Sequence, residues 1–376
     1  MTPRGSRARP VHQLGATSAA EPIDVVMLGY GQVGRALGPM IAGLRHDSTG
    51  PRVVAIIDRK GFIFEPRGLS LRRLRELGAA KRAGRSLGRV ERGRRAPPPA
   101  ALDFLATHAL TNPVLVDVTA SDTADLLQSA LAARFNLVLA NKRPLTGSRK
   151  DYDTLRAAAL ESGRRLLHEA TVGAGLPIID TYQKLVDSGD RVLRIEGCPS
   201  GTLGFLFGEM GRGRRFSEAL REAKERGYTE PDPRDDLSGI DVARKALILG
   251  RLLGYRGELS SVKVESLVPR GSKRLPLARF LNQLERWDDA WARRIADARH
   301  RGMVLRYRAT ASPRSIGVGL KLVETNSATG ALLGTDNQFS FTTLRYRANP
   351  LVITGPGAGP AVTAGGILND ILKLER

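Results

Sequence analysis

The sequence predicts an α/β protein, with a doubly wound parallel sheet first and a second, mixed α/β domain after it. Three observations carry this reading. Short, continuous apolar runs recur through residues 22–166 with helix-like stretches between them, the pattern of strands buried on both faces. The first run leads directly into Gly29-Tyr30-Gly31-Gln32-Val33-Gly34. Beyond Arg164 the candidate strands alternate apolar and polar residues, as strands of a half-covered sheet do. The expected organisation is a tail at 1–21 and a first domain at 22–166, completed by 355–376. That domain carries a basic insertion at 65–100, and a second domain spans 167–354.

Taken in order, Ile23–Leu28 reads as a buried strand and Val33–Leu44 as the helix after the glycine loop. Val53–Ile57 is a strand ending on Asp58. Leu69–Leu77 reads as helix, and Gly78–Ala100 as loop because Arg, Gly and Pro crowd it. A short helix is expected at Leu102–Ala109. Strands at Val114–Val118 and Leu137–Ala140 alternate with helices at Ala124–Ala133 and Tyr152–Glu161. His168–Pro177 is a glycine-rich turn entering a helix, Ile178–Ser188. Further strands are expected at Val192–Glu196, Val262–Val268, Val304–Thr310, Ile316–Glu324 and Phe339–Thr343. The helices among them fall near Ser217–Arg226, Leu237–Leu253 and Leu277–Ala298. The chain closes with a Gly355–Gly359 loop and a helix at Val362–Leu374.

At 376 residues, 41% hydrophobic and 26% charged, the composition is that of a folded protein of two or three domains. No run approaches the roughly 18 apolar residues of a membrane span. With Cys198 as the only cysteine, a disulfide framework is excluded and a reducing, cytoplasmic setting fits. The five histidines have no metal-ligand spacing. The net charge of +21 is concentrated: Arg59 to Ala96 carries a net +10, and Arg4, Arg7 and Arg9 add three more. This is a basic excursion on an otherwise ordinary body, and without a recognition motif no nucleic-acid partner is expected. The Arg-containing start of the chain, Met1–Glu21, reads as a transit peptide or a ragged start, and lacks the apolar middle of a secretory signal.

The glycine loop has a strand before it, a helix after it, and an acid at the end of the next strand, which is the context of a Rossmann dinucleotide fold. Gly29 permits the tight turn, Gly31 lets the backbone approach a pyrophosphate, and Gly34 allows close helix–strand contact. Gln32 and Val33 then open a helix whose N-terminus favours phosphate. Asp58 stands where an acid accepts the ribose hydroxyls of NAD, but Arg59 and Lys60 follow and can instead hold the 2′-phosphate of NADP. Both cofactors stay open.

The stretch Ala223–Lys245 sets a cluster of acids beside an apolar helix. Asp241 and Lys245 are four residues apart and share one helix face. The apolar residues around them predict burial, where desolvation and neighbouring carboxylates pull a lysine's proton affinity in opposite directions. A lysine so placed suits proton transfer. Lys142 is a second candidate, at the carboxyl edge of the first sheet, where ligands bind in this fold. Glu230, on a loop stiffened by Pro231 and Pro233, can take a substrate ammonium. Asp235 and Asp236 can do the same, or Asp236 can cap the helix.

The segment Gly227–Lys245, GYTEPDPRDDLSGIDVARK, resembles the signature of homoserine dehydrogenases. Further matching motifs run along nearly the whole chain: GYGQVG, VDVTAS, ANKRPLTG, HEATVGAGLPII, EGCPSGTLGFL and NPLVITGPGAGPAVTAGGILNDIL. The resemblance implies the reversible NAD- or NADP-linked oxidation of L-homoserine to L-aspartate 4-semialdehyde, on the route to threonine, methionine and isoleucine. It implies Lys245 as proton donor and acceptor, Lys142 at substrate and nicotinamide, and Asp241 orienting the site. Glu230 would bind the homoserine amino group, with Thr202, Asp235 and Asp236 around the substrate. Thr119 and Gly359 would touch the cofactor. It also implies a sodium ion on the backbone carbonyls of Glu169, Val172, Ala174 and Leu176, and a homodimer formed through the second domain. The sequence ends soon after the last helix, so no threonine inhibition through a C-terminal regulatory domain is expected. The main alternative enzyme, aspartate-semialdehyde dehydrogenase, needs a thiol nucleophile, and Cys198 reads instead as a small buried residue at a strand end. A non-enzymatic alternative is a basic Rossmann protein that binds RNA through the Arg-rich insertion.

Overall fold

The computed structural model describes residues 22–44 and 50–375; the expected tail at 1–21, with the transit-peptide reading, lies outside them. Two six-stranded sheets form. The first contains β1 (Asp24–Leu28), β2 (Arg52–Asp58), β3 (Gly61–Phe64), β4 (Val114–Asp117), β5 (Asn136–Leu139) and β6 (Leu166–Leu167), in the order β3-β2-β1-β4-β5-β6. All neighbours are parallel except β3, which turns back antiparallel on β2. β1 and β4 are buried along their whole length, as a sheet covered on both faces requires. Strand order reverses between β2 and β4 around β1, which opens a crevice at their carboxyl ends.

The second sheet contains β7 (Val192–Cys198), β8 (Lys263–Val264), β9 (Met303–Ala311), β10 (Ile316–Glu324), β11 (Asp336–Thr343) and β12 (Leu351–Pro356), in the order β12-β11-β7-β9-β10-β8. It is antiparallel apart from the β10–β8 edge. Helices Gly201–Gly211, Ile240–Leu252 and Asp288–His300 pack on its strands. The last helix, Pro360–Leu372, returns to the first sheet and packs on helix Gln32–Gly43 and on β5. Two glycines let it come close to the 173–176 turn. A Cβ on Gly175 would lie 2.6 Å from the Val362 carbonyl, and one on Gly366 would lie 2.3 Å from that of Ala174.

Several elements differ from expectation. The helix expected at Leu69–Leu77 runs from Leu71 to Arg82, and Ser70 caps it by accepting from the Arg73 amide. The expected loop at 78–100 is therefore largely structured, with a 3-10 turn at Leu87–Arg89 and a helix at Pro98–Ala106. Val262–Val268 contributes only the two residues of β8. The helix expected at Leu277–Ala298 is broken, with Leu277–Leu281 and Asp288–His300 separated by a 3-10 turn. Asp288 accepts from the amide and hydroxyl of Ser217, at 2.8 and 2.7 Å, which anchors the second piece where it begins.

The helix expected at Leu237–Leu253 begins later. A short helix, Pro233–Leu237, ends before Gly239, which is left-handed at φ 73°, and a new helix runs Ile240–Leu252. A Cβ on Gly239 would fall 1.9 Å from the Tyr307 hydroxyl, which donates to the Glu265 carbonyl at 2.7 Å. A Gly239→Ala substitution combines left-handed strain of about 1–2 kcal/mol with overpacking. It is expected to lower the melting temperature measured by calorimetry; an unchanged melting temperature would contradict the bend as described.

Candidate active site

The carboxyl edge of the first sheet forms a cavity of about 1140 Å³ lined by Gly29, Gly31, Asp58, Arg59 and Thr119, among others. Gly29 sits at φ 97°, and a Cβ there would meet the Thr119 methyl at 3.1 Å. Above Gly31 there is open space, so a ligand can approach its backbone. At Gly34 a Cβ would lie 2.8 Å from the Gly29 carbonyl, which accounts for close packing of loop and helix. Gln32 and Val33 begin the helix, whose first turn carries no acid. These features fit a dinucleotide pyrophosphate held on backbone amides. Gly359 caps the last helix at φ 106°, and neither it nor Lys142 lies in the lining of this cavity.

Behind Thr119 is a knot that the sequence analysis did not single out. The carboxylate of Asp117, fully buried, accepts from the Thr119 amide at 2.9 Å and hydroxyl at 2.8 Å, and from the Thr123 hydroxyl at 2.6 Å. It also accepts from the Asn141 amide nitrogen at 2.9 Å, and the Asn141 side-chain oxygen accepts from the Arg143 amide at 3.0 Å. One buried charge thus fixes the ends of β4 and β5 together, and with them the residue between, Lys142. An acid closing an apolar strand is the only sequence signal for it.

Lys142 meets the acid–lysine helix. Its Nζ lies 3.3 Å from Asp241 Oδ1, and Lys245 Nζ lies 2.9 Å from Asp241 Oδ2. Lys245 also donates to the carbonyl of Pro199, at the end of β7, at 2.7 Å. The Lys245 side chain is 13% exposed and that of Lys142 29%, while Asp241 faces the opening at 53%. Desolvation works to raise the Asp241 carboxyl, but the charges and hydrogen bonds of Lys245 and Lys142 outweigh it and hold it well below the usual carboxylate range. One ammonium group from the end of the first sheet and one from a helix of the second domain therefore converge on one carboxylate.

The acids upstream take different places. Glu230 presents an exposed carboxylate, while its amide donates to Asp236 at 2.8 Å. The Thr202 hydroxyl lies 2.9 Å from Asp236 and 2.5 Å from the Tyr228 carbonyl. Burial raises the Asp236 carboxyl. Asp236 does not cap the long helix, because Gly239 stands at that position; the cap in this region is Asp232, which accepts from the Arg234 amide. Asp235 points into solvent.

In the 169–176 turn the Glu169 carbonyl accepts from the Val172 amide at 3.5 Å and that of Leu176 from Ile178 at 2.8 Å. The Glu169 side chain, with Asp180 and Asp370, forms an acid cluster. Its oxygens are already used. Glu169 accepts from the amides of Ile178, Ile179 and Asp180, and Asp370 accepts from the Glu169 amide and from Lys373. The cluster ties the last helix to this turn. Cys198 is buried, and burial pushes its thiol up to about 12, which argues against a thiolate nucleophile there.

Comparison with known proteins decides the family. A family profile described as "Homoserine dehydrogenase, NAD binding domain" matches residues 29–169, and one described as "Homoserine dehydrogenase" matches 177–372. The chain belongs to the homoserine dehydrogenase family. It is 37% identical to the homoserine dehydrogenase of Schizosaccharomyces pombe, over 94% of this chain and 95% of that one. It is 45% identical to a bifunctional aspartokinase/homoserine dehydrogenase of Zea mays over 71% of this chain, but spans only 30% of that relative's length. A Candida auris protein described as of unknown function superposes with a TM-score of 0.84 at 31% identity, covering 94% of this chain and 98% of that one. A hyperthermophilic archaeal homoserine dehydrogenase in complex with NADPH superposes with a TM-score of 0.71 at 26% identity, covering 94% and 97%. The profile that ends at 372 includes the last helix, although that helix packs on the first sheet.

A residue absent from the sequence reading, Arg251, links the two halves of this family site. It lies on the same helix as Asp241 and Lys245, and its side chain is fully buried. It donates to the carbonyls of Leu145 and Gly147, at 2.7 and 2.9 Å, just after Lys142. Glu258 pairs with it at 3.5 Å and accepts from the Arg149 amide at 2.8 Å. Arg251→Leu strands those two carbonyls, at a cost of about 2 kcal/mol or more. The expected result is a lower melting temperature with kcat reduced and cofactor affinity kept. Wild-type kcat in this variant would show that Arg251 does not position Lys142.

Proposed function

We propose that the protein catalyses the reversible reaction of L-homoserine with NAD or NADP to give L-aspartate 4-semialdehyde, the reduced cofactor and a proton. The observation that carries the proposal is the Lys142–Asp241–Lys245 constellation beside the dinucleotide crevice. When bound, the nicotinamide supplies the hydride acceptor; the remaining work falls to the chain.

In oxidation, Lys245 acts as the neutral amine, taking the C4 hydroxyl proton to become an ammonium as hydride leaves C4. In reduction, its ammonium stabilises the developing alkoxide and returns the proton. Asp241 acts as a positioning residue that fixes both lysine heads, and its carboxylate, held ionised, offsets the repulsion between them. Lys142 contacts the substrate oxygen from the first sheet. Glu230 and Asp236 take the α-ammonium of homoserine, with Thr202 orienting Asp236 and Asp235 adding negative potential nearby. Gly29, Gly31, Thr119 and Gly359 border the cofactor. The cofactor domain in this reading is 22–166 completed by 355–376, supported by the packing of the last helix on helix Gln32–Gly43 and β5, and the substrate and dimerisation domain is 167–354.

A sodium ion on the carbonyls of Glu169, Val172, Ala174 and Leu176 belongs to the same reading. The left-handed Ala174, at φ 56°, curls the turn, and an all-carbonyl donor set suits a hard monovalent cation. A homodimer in the cytoplasm completes the reading; among the described residues no helix is long and apolar enough to cross a membrane.

The direct test follows absorbance at 340 nm with homoserine and each cofactor, for wild type and Lys245→Ala. Loss of one positioned acid–base group predicts a fall of about 10²- to 10⁴-fold in turnover, with cofactor binding by fluorescence unchanged. Turnover near the wild-type rate would remove Lys245 from the mechanism, and no homoserine-dependent change with either cofactor would remove the activity itself.

A further inference from the structure

The acid at the end of β2 is not available to a ribose. Asp58 is only 9% exposed. Its Oδ1 accepts from the Lys60 amide at 2.9 Å, and its Oδ2 accepts from Lys81 Nζ at 2.6 Å and the Leu87 amide at 2.9 Å. A carboxylate has about four acceptor positions. Three donors already occupy this one, and the two hydroxyls of an unphosphorylated ribose need two more. Asp58 works instead as an anchor that draws the helix Leu71–Arg82 and the turn after it against the end of β2.

What that anchor brings to the cavity is positive charge. Arg59 and Lys60 follow β2; Lys81, Arg85 and Arg89 come from the segment the sequence suggested was a solvated loop. Among the described residues the side chains of Arg59, Lys60, Arg85 and Arg89 make no hydrogen bond or ion pair, so four cationic heads line the same cavity without an internal partner. The wall that carries them is built rather than loose. Phe62 and Arg94 exchange backbone hydrogen bonds at 2.9 Å. A Cβ on Gly61 would lie 2.5 Å from Gly88, so the 3-10 turn sits directly on β3. The Arg94 guanidinium stacks 4.3 Å over the Phe104 ring, and the Arg73 guanidinium donates to the Glu91 carbonyl. Unpaired arginines held in place at the ribose end of a dinucleotide crevice are a receptor for a phosphomonoester dianion, which they bind through charge-assisted, forked hydrogen bonds.

We infer that residues 59–95 form a clamp for the 2′-phosphate of the adenosine ribose. Lys60, Arg85 and Arg89 supply the contacts, and Asp58 and Lys81 form the fixed base, so that the chain selects NADP over NAD. This rests on the dehydrogenase reading above and assigns the cofactor class that reading left open. The basic excursion then serves the enzyme's own cofactor and needs no polyanionic partner.

Calorimetric titration of the full chain with adenosine 2′,5′-bisphosphate and with adenosine 5′-monophosphate isolates the phosphate from catalysis. The bisphosphate is expected to bind at least about tenfold more tightly, the worth of one charged hydrogen bond, and less so as salt rises. In the Arg85→Ala/Arg89→Ala double variant that preference should collapse, while monophosphate affinity stays within about twofold. Lys81→Met, which frees Asp58, should narrow the preference further by strengthening monophosphate binding. Equal affinities in wild type, or a preference that survives the double variant, would overturn the clamp. If the bisphosphate preference is found but homoserine is not oxidised with either cofactor, the clamp stands and the dehydrogenase reading falls. If homoserine is oxidised equally well with both cofactors and the two nucleotides bind alike, the clamp falls and the dehydrogenase reading stands.

Discussion

The site depends on one carboxylate holding two ammonium groups, one from the end of the first sheet and one from a helix of the second domain. Two lysines brought this close would repel each other, and each would pay to leave water. Asp241 resolves both problems, at 2.9 Å from Lys245 and 3.3 Å from Lys142. Much of the surrounding structure serves to keep that triangle in place. Gly239 provides the left-handed corner from which the Asp241 helix departs. The Pro199 carbonyl takes one proton of Lys245. Asp117 ties down the start of the Lys142 loop, and Arg251 ties down its end.

The same principle recurs at the cofactor end. Asp58, like Asp117, is a buried acid whose oxygens are filled by the chain itself, and each fixes a segment that carries a cleft-facing group. Acids that anchor and cations that face the cleft are the division of labour in this molecule. It follows from electrostatics: a buried carboxylate must be satisfied internally, whereas a cation left unpaired at a cavity wall keeps its charge for an anionic guest.

The parts of this arrangement that were legible in the sequence are those encoded locally. The glycine loop between a strand and a helix, and the four-residue spacing of Asp241 and Lys245, are local patterns, and both are found as read. Pairings across long separations were not legible. Nothing near Asp58 announces that Lys81, in a helix 23 residues on, will occupy it, so the acid read as a ribose acceptor. Arg251 looks like an ordinary helix arginine until the Leu145 and Gly147 carbonyls are seen beneath it. Helix Gly201–Gly211 was missed because its four glycines lower local propensity, while packing against the second sheet supplies its stability. The break at Gly239 was hidden for the opposite reason. The apolar period continues across it, and only the Tyr307 hydroxyl, some seventy residues away, shows why a glycine must stand there.

In the proposed mechanism Asp241 works through the charge it lends to the two lysines. A double-mutant cycle on kcat with Asp241→Asn and Lys245→Met tests it most directly, since the amide keeps the shape and removes the charge. Asp241→Asn alone is expected to lower kcat by about a hundredfold or more, with cofactor affinity unchanged. The same substitution is expected to cost clearly less once Lys245 is gone, the remaining loss acting through Lys142. A wild-type kcat in Asp241→Asn, or losses that simply add, would contradict it.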